Sequence, residues 1–143
     1  EDVNGQSICV CVSTVYEDWL NGIVEFPKSS LYANPPMNIT VIPLKTDNEC
    51  VQSIQAGREE FAIFLTSNTI VEAAMKNGIP VHKVGHPVFA ENLAVTFDKN
   101  SFKDNTRLVK KVSEIIIDMH EDETLSTFSI KWFKEDRTKD PSI

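Results

Sequence analysis

The chain has 143 residues, with 14 Lys and Arg against 21 Asp and Glu, giving a formal net charge of −7. That length fits one ordinary domain, and 41% hydrophobic residues are enough to build a core, which argues against wholesale disorder. The acidic balance, without a visible cluster of Lys or Arg, argues against a nucleic-acid partner. No apolar run approaches the ~18 residues of a membrane span. The chain opens Glu1-Asp2 with no basic or apolar leader, so the expectation is a processed or excised product.

Ile8 to Val12 is a short apolar run bounded by Gly5 and by Ser13-Thr14, which predicts a buried parallel strand. Ser13 or Thr14 can cap the helix that follows, with Glu17 completing a capping box after Thr14. Trp19, Leu20, Ile23 and Val24 have helical spacing. Pro27 to Pro36 holds three prolines and reads as loop. Asn38 to Leu44 predicts a second strand, and Pro43 places it near an edge or a loop. Thr46, Asp47 or Asn48 caps a short helix that stops at Gly57. Phe61 to Leu65 is the most apolar strand, followed by Thr66-Ser67-Asn68 and a helix that ends at Asn77-Gly78. Val81 to Val84 and Leu93 to Phe97 read as two further strands. The alternation predicts an α/β layer around a mainly parallel sheet.

The character changes after Phe97. Leu108, Val112, Ile115, Ile116 and Met119 form a helical stripe, Glu121 to Thr124 breaks it, and Leu125, Phe128, Trp132 and Phe133 mark a second amphipathic helix. Lys134 to Ile143 is polar and reads as a frayed tail. The expected organisation is a lobe over residues 1–97 and a helical segment with tail over residues 98–143.

No Gly-x-Ser-x-Gly, Gly-rich phosphate loop or His-Glu-x-x-His is present. Three cysteines without a Cys-x-x-Cys give weak support for zinc. Cys9 and Cys11 alternate onto one strand face. The plain reading of all three is buried free thiols; a Cys9–Cys50 or Cys11–Cys50 disulfide is the alternative, implying an oxidising compartment. Two strand ends carry hydroxyl residues that lead into helices, Ser13-Thr14 and Thr66-Ser67. In an open α/β sheet, ligands bind outside such carboxyl ends. The competing reading is that these residues only cap helices.

Four stretches carry a family resemblance. They are Gly5 to Val10 with Ser13 to Leu20; Ile54 to Leu65, with its Gly57 step; Gly85-His86-Pro87 with Asn92 to Val95; and Val112 through Thr124-Leu125 to Lys131-Trp132-Phe133. Over residues 5–134 the chain resembles the second half of type II periplasmic-binding-protein-like domains. The likeness is to the amino-acid-binding solute-binding proteins of family 3, an arrangement shared by the ligand-binding domain of ionotropic glutamate receptors. The resemblance implies an α/β periplasmic-binding-protein-like lobe followed by two C-terminal helices, and a function of binding or sensing a small polar solute by lobe closure. It implies no catalysis, metal or cofactor. It places Ser13, Thr14, Thr66 and Cys11 at the ligand, with Thr14 offering N–H and hydroxyl to a carboxylate and Ser13 standing where the family has glycine. Thr66 stands where the family has an acidic ammonium clamp, and a hydroxyl cannot neutralise that charge. Glu123 replaces a glycine between the closing helices and should strain that turn. The resemblance also implies an extracytoplasmic location and a transporter or receptor partner. A companion lobe or a second copy would cover the helices of residues 102–133, or those helices would fold onto the single lobe.

Overall fold

A computed structural model describes residues 3–24, 33–91, 93–100 and 104–139. Most of the proline-rich loop predicted over Pro27–Pro36 lies outside these residues. The chain divides into two compact units, Glu1–Phe89 and Ala90–Ile143. The fold is α/β, a small parallel sheet flanked by helices with further helices at the C-terminal end, as in a binding-protein lobe.

In the first unit the elements alternate: β1 (Ser7–Cys11), α1 (Val15–Leu20), β2 (Thr40–Leu44), α2 (Asp47–Gln55), β3 (Ile63–Leu65) and α3 (Asn68–Lys76). The strand order is β2-β1-β3 and both pairings are parallel, Ile8 standing opposite Val41 on one side and Ile63 on the other. The strand at the centre is the one with three consecutive buried residues, Ile8, Cys9 and Val10. A central strand buried on both faces needs apolar side chains pointing both ways. Pro43 is accommodated because β2 is an edge strand, which can lack one donor without breaking an inner ladder.

The side-chain period of two sorts the core into two clusters. Ile8 and Val10 point to one face, where Trp19 and Leu20 of α1 cover them together with Val41, Ile63 and Leu65. Phe89 closes this side, its ring 5.4 Å from Tyr16 and 5.7 Å from Trp19, while the Trp19 indole N–H donates to the Ala33 carbonyl at 3.1 Å. Cys9 points to the other face, where Cys50 of α2, Phe61, Ile42 and Phe64 surround it. Helices α1 and α2 therefore lie on opposite faces of the sheet. Burying a side chain the size of Val10 contributes roughly 1.5–3 kcal/mol. Cys9 and Cys50 are joined by a disulfide with Cα atoms 6.1 Å apart, so the free-thiol reading holds only for Cys11. The two cysteines meet because a strand and the helix packed on its face bring them within bridging distance.

Gly57 and Gly78 end α2 and α3 in the left-handed region, at φ +69° and +76°, and each lets the chain fold back to satisfy a last-turn carbonyl: Arg58 N–H donates to Ser53 O and Ile79 N–H to Ala74 O, both at 3.0 Å. Two strands expected from the sequence do not form. Residues 81–84 lie between Pro80 and Gly85-His86-Pro87, and Val81 N–H closes a tight turn onto Ile79 O at 2.8 Å. Residues 93–97 have no strand partner among the described residues, and Leu93 is 90% exposed. A strand without a neighbour has no ladder and no buried face to hold it extended.

In the second unit α4 (Thr106–Glu121) and α5 (Thr124–Phe133) pack on each other. On α4, Val109, Val112, Ile116 and Met119 are half-buried, while Leu108, Ile115 and Ile117 are exposed. Glu123, between the helices, adopts φ +62°, the left-handed conformation that glycine takes most readily and a side-chain-bearing residue takes at a cost. Asp104 and Asp122 accept the first free N–H groups of the helices, from Thr106 and Thr124, both at 2.9 Å. In the segment read as a frayed tail, residues 134–139 are held against α5, and residues 140–143 lie outside the described residues. Ser129, the buried residue of α5, donates to Glu135 O at 2.9 Å and accepts from Arg137 N at 2.8 Å. The Arg137 guanidinium lies 4.6 Å from the Phe133 ring centre. Serines thus occupy the sheltered side of α5 while Phe128, Ile130 and Trp132 face outward, Trp132 being 72% exposed.

Candidate functional site

The order β2-β1-β3 makes the gap between β1 and β3 a topological switch point. From β1 the chain crosses to one neighbour over one face, and then returns over the other face to the strand on the far side. Loops that leave a parallel sheet on either side of such a point diverge and open a crevice at the carboxyl ends. The two hydroxyl-bearing loops, Ser13-Thr14 after β1 and Thr66-Ser67 after β3, stand on either side of this switch point.

Each loop is shaped by its own hydrogen bonds. Val12 N–H donates to Leu44 O at 2.8 Å, extending the ladder one residue past β1. Ser13 then takes φ +61°, a conformation that costs a side-chain-bearing residue about 1–2 kcal/mol. Its N–H donates to Glu17 Oε2 at 2.6 Å. Thr14 is the N-cap of α1: its hydroxyl donates to Cys11 O at 2.7 Å and accepts from Glu17 N at 3.4 Å. The same construction recurs at α2. Thr46 accepts from Glu49 N at 3.2 Å, and Glu49 Oε2 reaches back to Lys45 N at 3.0 Å. Both are capping boxes whose glutamate reaches one residue further than usual, to the N–H before the cap. The Ser13 N–H is therefore already engaged by a carboxylate of the chain itself.

Thr66 Oγ1 donates to Asp47 Oδ1 at 2.9 Å. Asp47 opens α2 beyond edge strand β2, and Thr66 follows edge strand β3, so this bond spans the end of the central strand. Cys11, at that end, donates from Sγ to Lys45 O at 3.4 Å. Removal from water pushes the Cys11 thiol above its ordinary range, and the charges of Asp47, Glu17 and Glu49 push it further, partly offset by a hydrogen bond from the Asp47 backbone. A thiol raised in this way stays protonated near neutrality and is a poor nucleophile. Glu17, Asp47 and Glu49 form no ion pair with Lys or Arg among the described residues.

All four residues singled out from the sequence thus lie at the carboxyl edge of the sheet. Cys11 and Thr14 are joined directly, Ser13 is tied to Glu17, and Thr66 is tied to Asp47. Asp47 was legible only as one of three helix-cap candidates; its distance of three residues from the end of β2 was the available signal. A hollow of about 440 Å³ lined by Ile54, Gly57, Arg58, Glu59, Phe61 and Ala62 lies where α2 leads into β3, at the opposite edge. Among the described residues no group of three or more His, Cys, Asp or Glu is placed to hold a metal ion, and no helix is long and apolar enough to cross a membrane.

This edge gathers hydroxyls and carboxylates at the switch point, and the curated relatives of the chain are named as binding proteins. The chain is 29% identical over 106 residues, 73% of its length, to the protein named "Probable amino-acid-binding protein YxeM" of Bacillus subtilis. It is 26% identical over 139 residues, 97% of its length, to the L-cystine-binding protein TcyJ of Escherichia coli. The chain spans 39% of the first relative and 46% of the second. No family model matches, and no solved structure matches.

Proposed function

We propose that the chain binds a small polar solute, an amino acid or related carboxylate, at the carboxyl edge between β1 and β3, with Ser13, Thr14, Cys11 and Thr66 facing the ligand. The observation that carries this reading is the pair of hydroxyl-bearing loops on either side of the switch point. The names of the two relatives support it. In this reading residues 1–97 act as one lobe of a binding protein or receptor. The lobe closes on the solute against a companion lobe, and no catalysis is involved. The Cys9–Cys50 disulfide supports a location outside the cytoplasm, where such bonds persist.

A second reading has its own observation. Leu108, Ile115, Phe128 and Trp132 are exposed apolar side chains on two adjoining helices, a combination that marks an interface. On that reading the chain is a degenerate lobe used for dimerisation. Thermal unfolding across a library of amino acids and carboxylates separates the two. A concentration-dependent rise in midpoint with at least one solute supports ligand binding. No rise with any solute, together with a stable dimer in light scattering, overturns it.

A further inference from the structure

We propose that Asn38 is an acceptor for an N-linked oligosaccharide and that the sugar covers the open edge of β2. Asn38-Ile39-Thr40 is the only Asn-x-Ser/Thr triplet in the chain, and its middle residue is not proline. Such a triplet acts where it stands on the surface of a secreted chain. The Cys9–Cys50 disulfide supports the secreted route. The surface condition follows from how the triplet is built. Met37 is tied down twice, its N–H donating to Asn4 Oδ1 at 2.7 Å and its carbonyl accepting from Gly5 N at 3.0 Å, and Thr40 N–H donates to Gln6 O at 3.0 Å. Between these fixed points Asn38 turns through φ +56°, a left-handed conformation that asparagine tolerates better than most residues. Ile39 packs against the cluster of Ile8, Val10, Trp19 and Leu20, whereas Asn38 and Thr40 on either side of it are exposed. The acceptor amide and the hydroxyl two residues on therefore both face solvent, and β2 begins only at Thr40, which leaves Asn38 outside the ladder.

The step is a group transfer. The Asn38 side-chain nitrogen forms a bond to the anomeric carbon of an oligosaccharide carried on a lipid pyrophosphate. The bond from that carbon to the pyrophosphate oxygen breaks, its electron pair leaves with the lipid pyrophosphate, and the nitrogen gives up one proton to a base of the transferase. The place of attachment suits the strand beside it. In β2 the Thr40 N–H and the Leu44 carbonyl both face β1, so Val41 and Pro43 turn their backbone groups outward. Pro43 has no N–H, which leaves Val41 as the outward donor of this edge strand. Val41 is about 10 Å from Asn38 along extended chain, within the cover of an oligosaccharide. The sugar stands at the amino end of β2, so the carboxyl edge read as the ligand site stays open.

The test passes the full chain, behind a cleavable leader, through the secretory pathway of a eukaryotic cell. The leader supplies the route, so the result speaks of Asn38 whatever compartment the ligand reading assigns. The peptide containing Asn38 is read by mass spectrometry before and after an amide-cleaving N-glycosidase. The secreted wild type is expected to carry a sugar on Asn38, seen as a gel shift that the glycosidase removes while converting that asparagine to aspartate. Asn38→Gln and Thr40→Ala are each expected to lose the shift completely, and Thr40→Ser to keep it. Glutamine is costlier than asparagine at a positive φ, so should Asn38→Gln fail to fold, Thr40→Ala decides alone. A secreted wild type whose Asn38 peptide has only its unmodified mass overturns the proposal, as does a sugar on Asn38 that survives Thr40→Ala. Sedimentation of the wild type before and after glycosidase treatment reads the role at the strand edge. The trimmed protein is expected to self-associate at a several-fold lower concentration; equal association overturns the shielding of β2 and leaves the acceptor site standing.

Discussion

Removing the Cys9–Cys50 disulfide should cost the first unit a large part of its stability. The bond closes a loop of 41 residues between the central strand and α2. In the chain-entropy account a loop of that size is worth about 4 kcal/mol through its constraint on the unfolded chain. Both cysteines are fully buried against Phe61, so Cys9→Ala with Cys50→Ala also deletes two packed sulfurs, at roughly 1 kcal/mol each on the scale of one buried methylene-sized group. The expected loss of about 5–6 kcal/mol compares with a total of roughly 5–15 kcal/mol for an ordinary domain. Urea unfolding followed by Trp fluorescence reads this directly, because Trp19 is buried in the first unit's core whereas Trp132 is exposed. With a slope of roughly 1.5–2 kcal/mol/M, the midpoint should fall by about 2.5–4 M, and reducing the wild type should give much of the same shift. A thiol count on the unfolded, unreduced wild type provides the control, with Cys11 alone expected to react. Three reactive thiols, or a double variant unfolding within about 0.5 M of the oxidised wild type, would refute the reasoning.

Three further outcomes are expected. Alkylation of Cys11 by iodoacetamide should show a pH midpoint above that of an ordinary thiol, and Asp47→Asn should lower it, since removing a nearby negative charge favours the thiolate; an unchanged or raised midpoint by mass spectrometry contradicts this. Ser129→Ala should cost about 1 kcal/mol and release the Arg137 amide to fast hydrogen exchange, because both backbone partners of that hydroxyl lie in the segment folded back on α5. The carboxyls of Asp104, Asp122 and Asp136 are held below the usual carboxylate range by hydrogen bonds from Thr106, Thr124 and Thr138. Folded values below the unfolded value of about 4 mean that this stabilisation is present above about pH 4 and is lost as pH falls through the lowered values; helical circular dichroism in acid should follow it, and Asp122→Asn should flatten the acid limb.

The elements legible in the sequence were those fixed by local signals. Ile8 to Val10 is apolar on both faces and became the centre of the sheet, and Gly57 and Gly78 stopped their helices where a positive φ was needed. Residues 81–84 and 93–97 misled because a short apolar run states only that a strand is affordable. Whether it pairs depends on a neighbour elsewhere in the chain, which periodicity does not encode. The segment 134–139 misled for the opposite reason. Its polar composition concealed bonds to Ser126 and Ser129, serines that a helical wheel assigns to no face in particular. Within the candidate site, Ser13, Thr14 and Thr66 could be found from their place after strands, whereas the Asp47–Thr66 bond required the strand order, because the two residues meet only when β2 and β3 stand on either side of β1.

The all-parallel arrangement also governs how this sheet is assembled. No two of its strands are joined by a turn; Ser7 waits for Thr40, and Ile8 waits for Ile63. The central strand is thus made first and completed last. Its two ladders form only after crossovers of dozens of residues have been ordered, so the folding of the first unit is expected to be limited by long-range strand association rather than by helix formation. During synthesis the most deeply buried strand of the lobe lacks both neighbours until β2 emerges and keeps one edge unpaired until β3 emerges, which makes Ile8 to Val10 the stretch most exposed to mispairing with another chain.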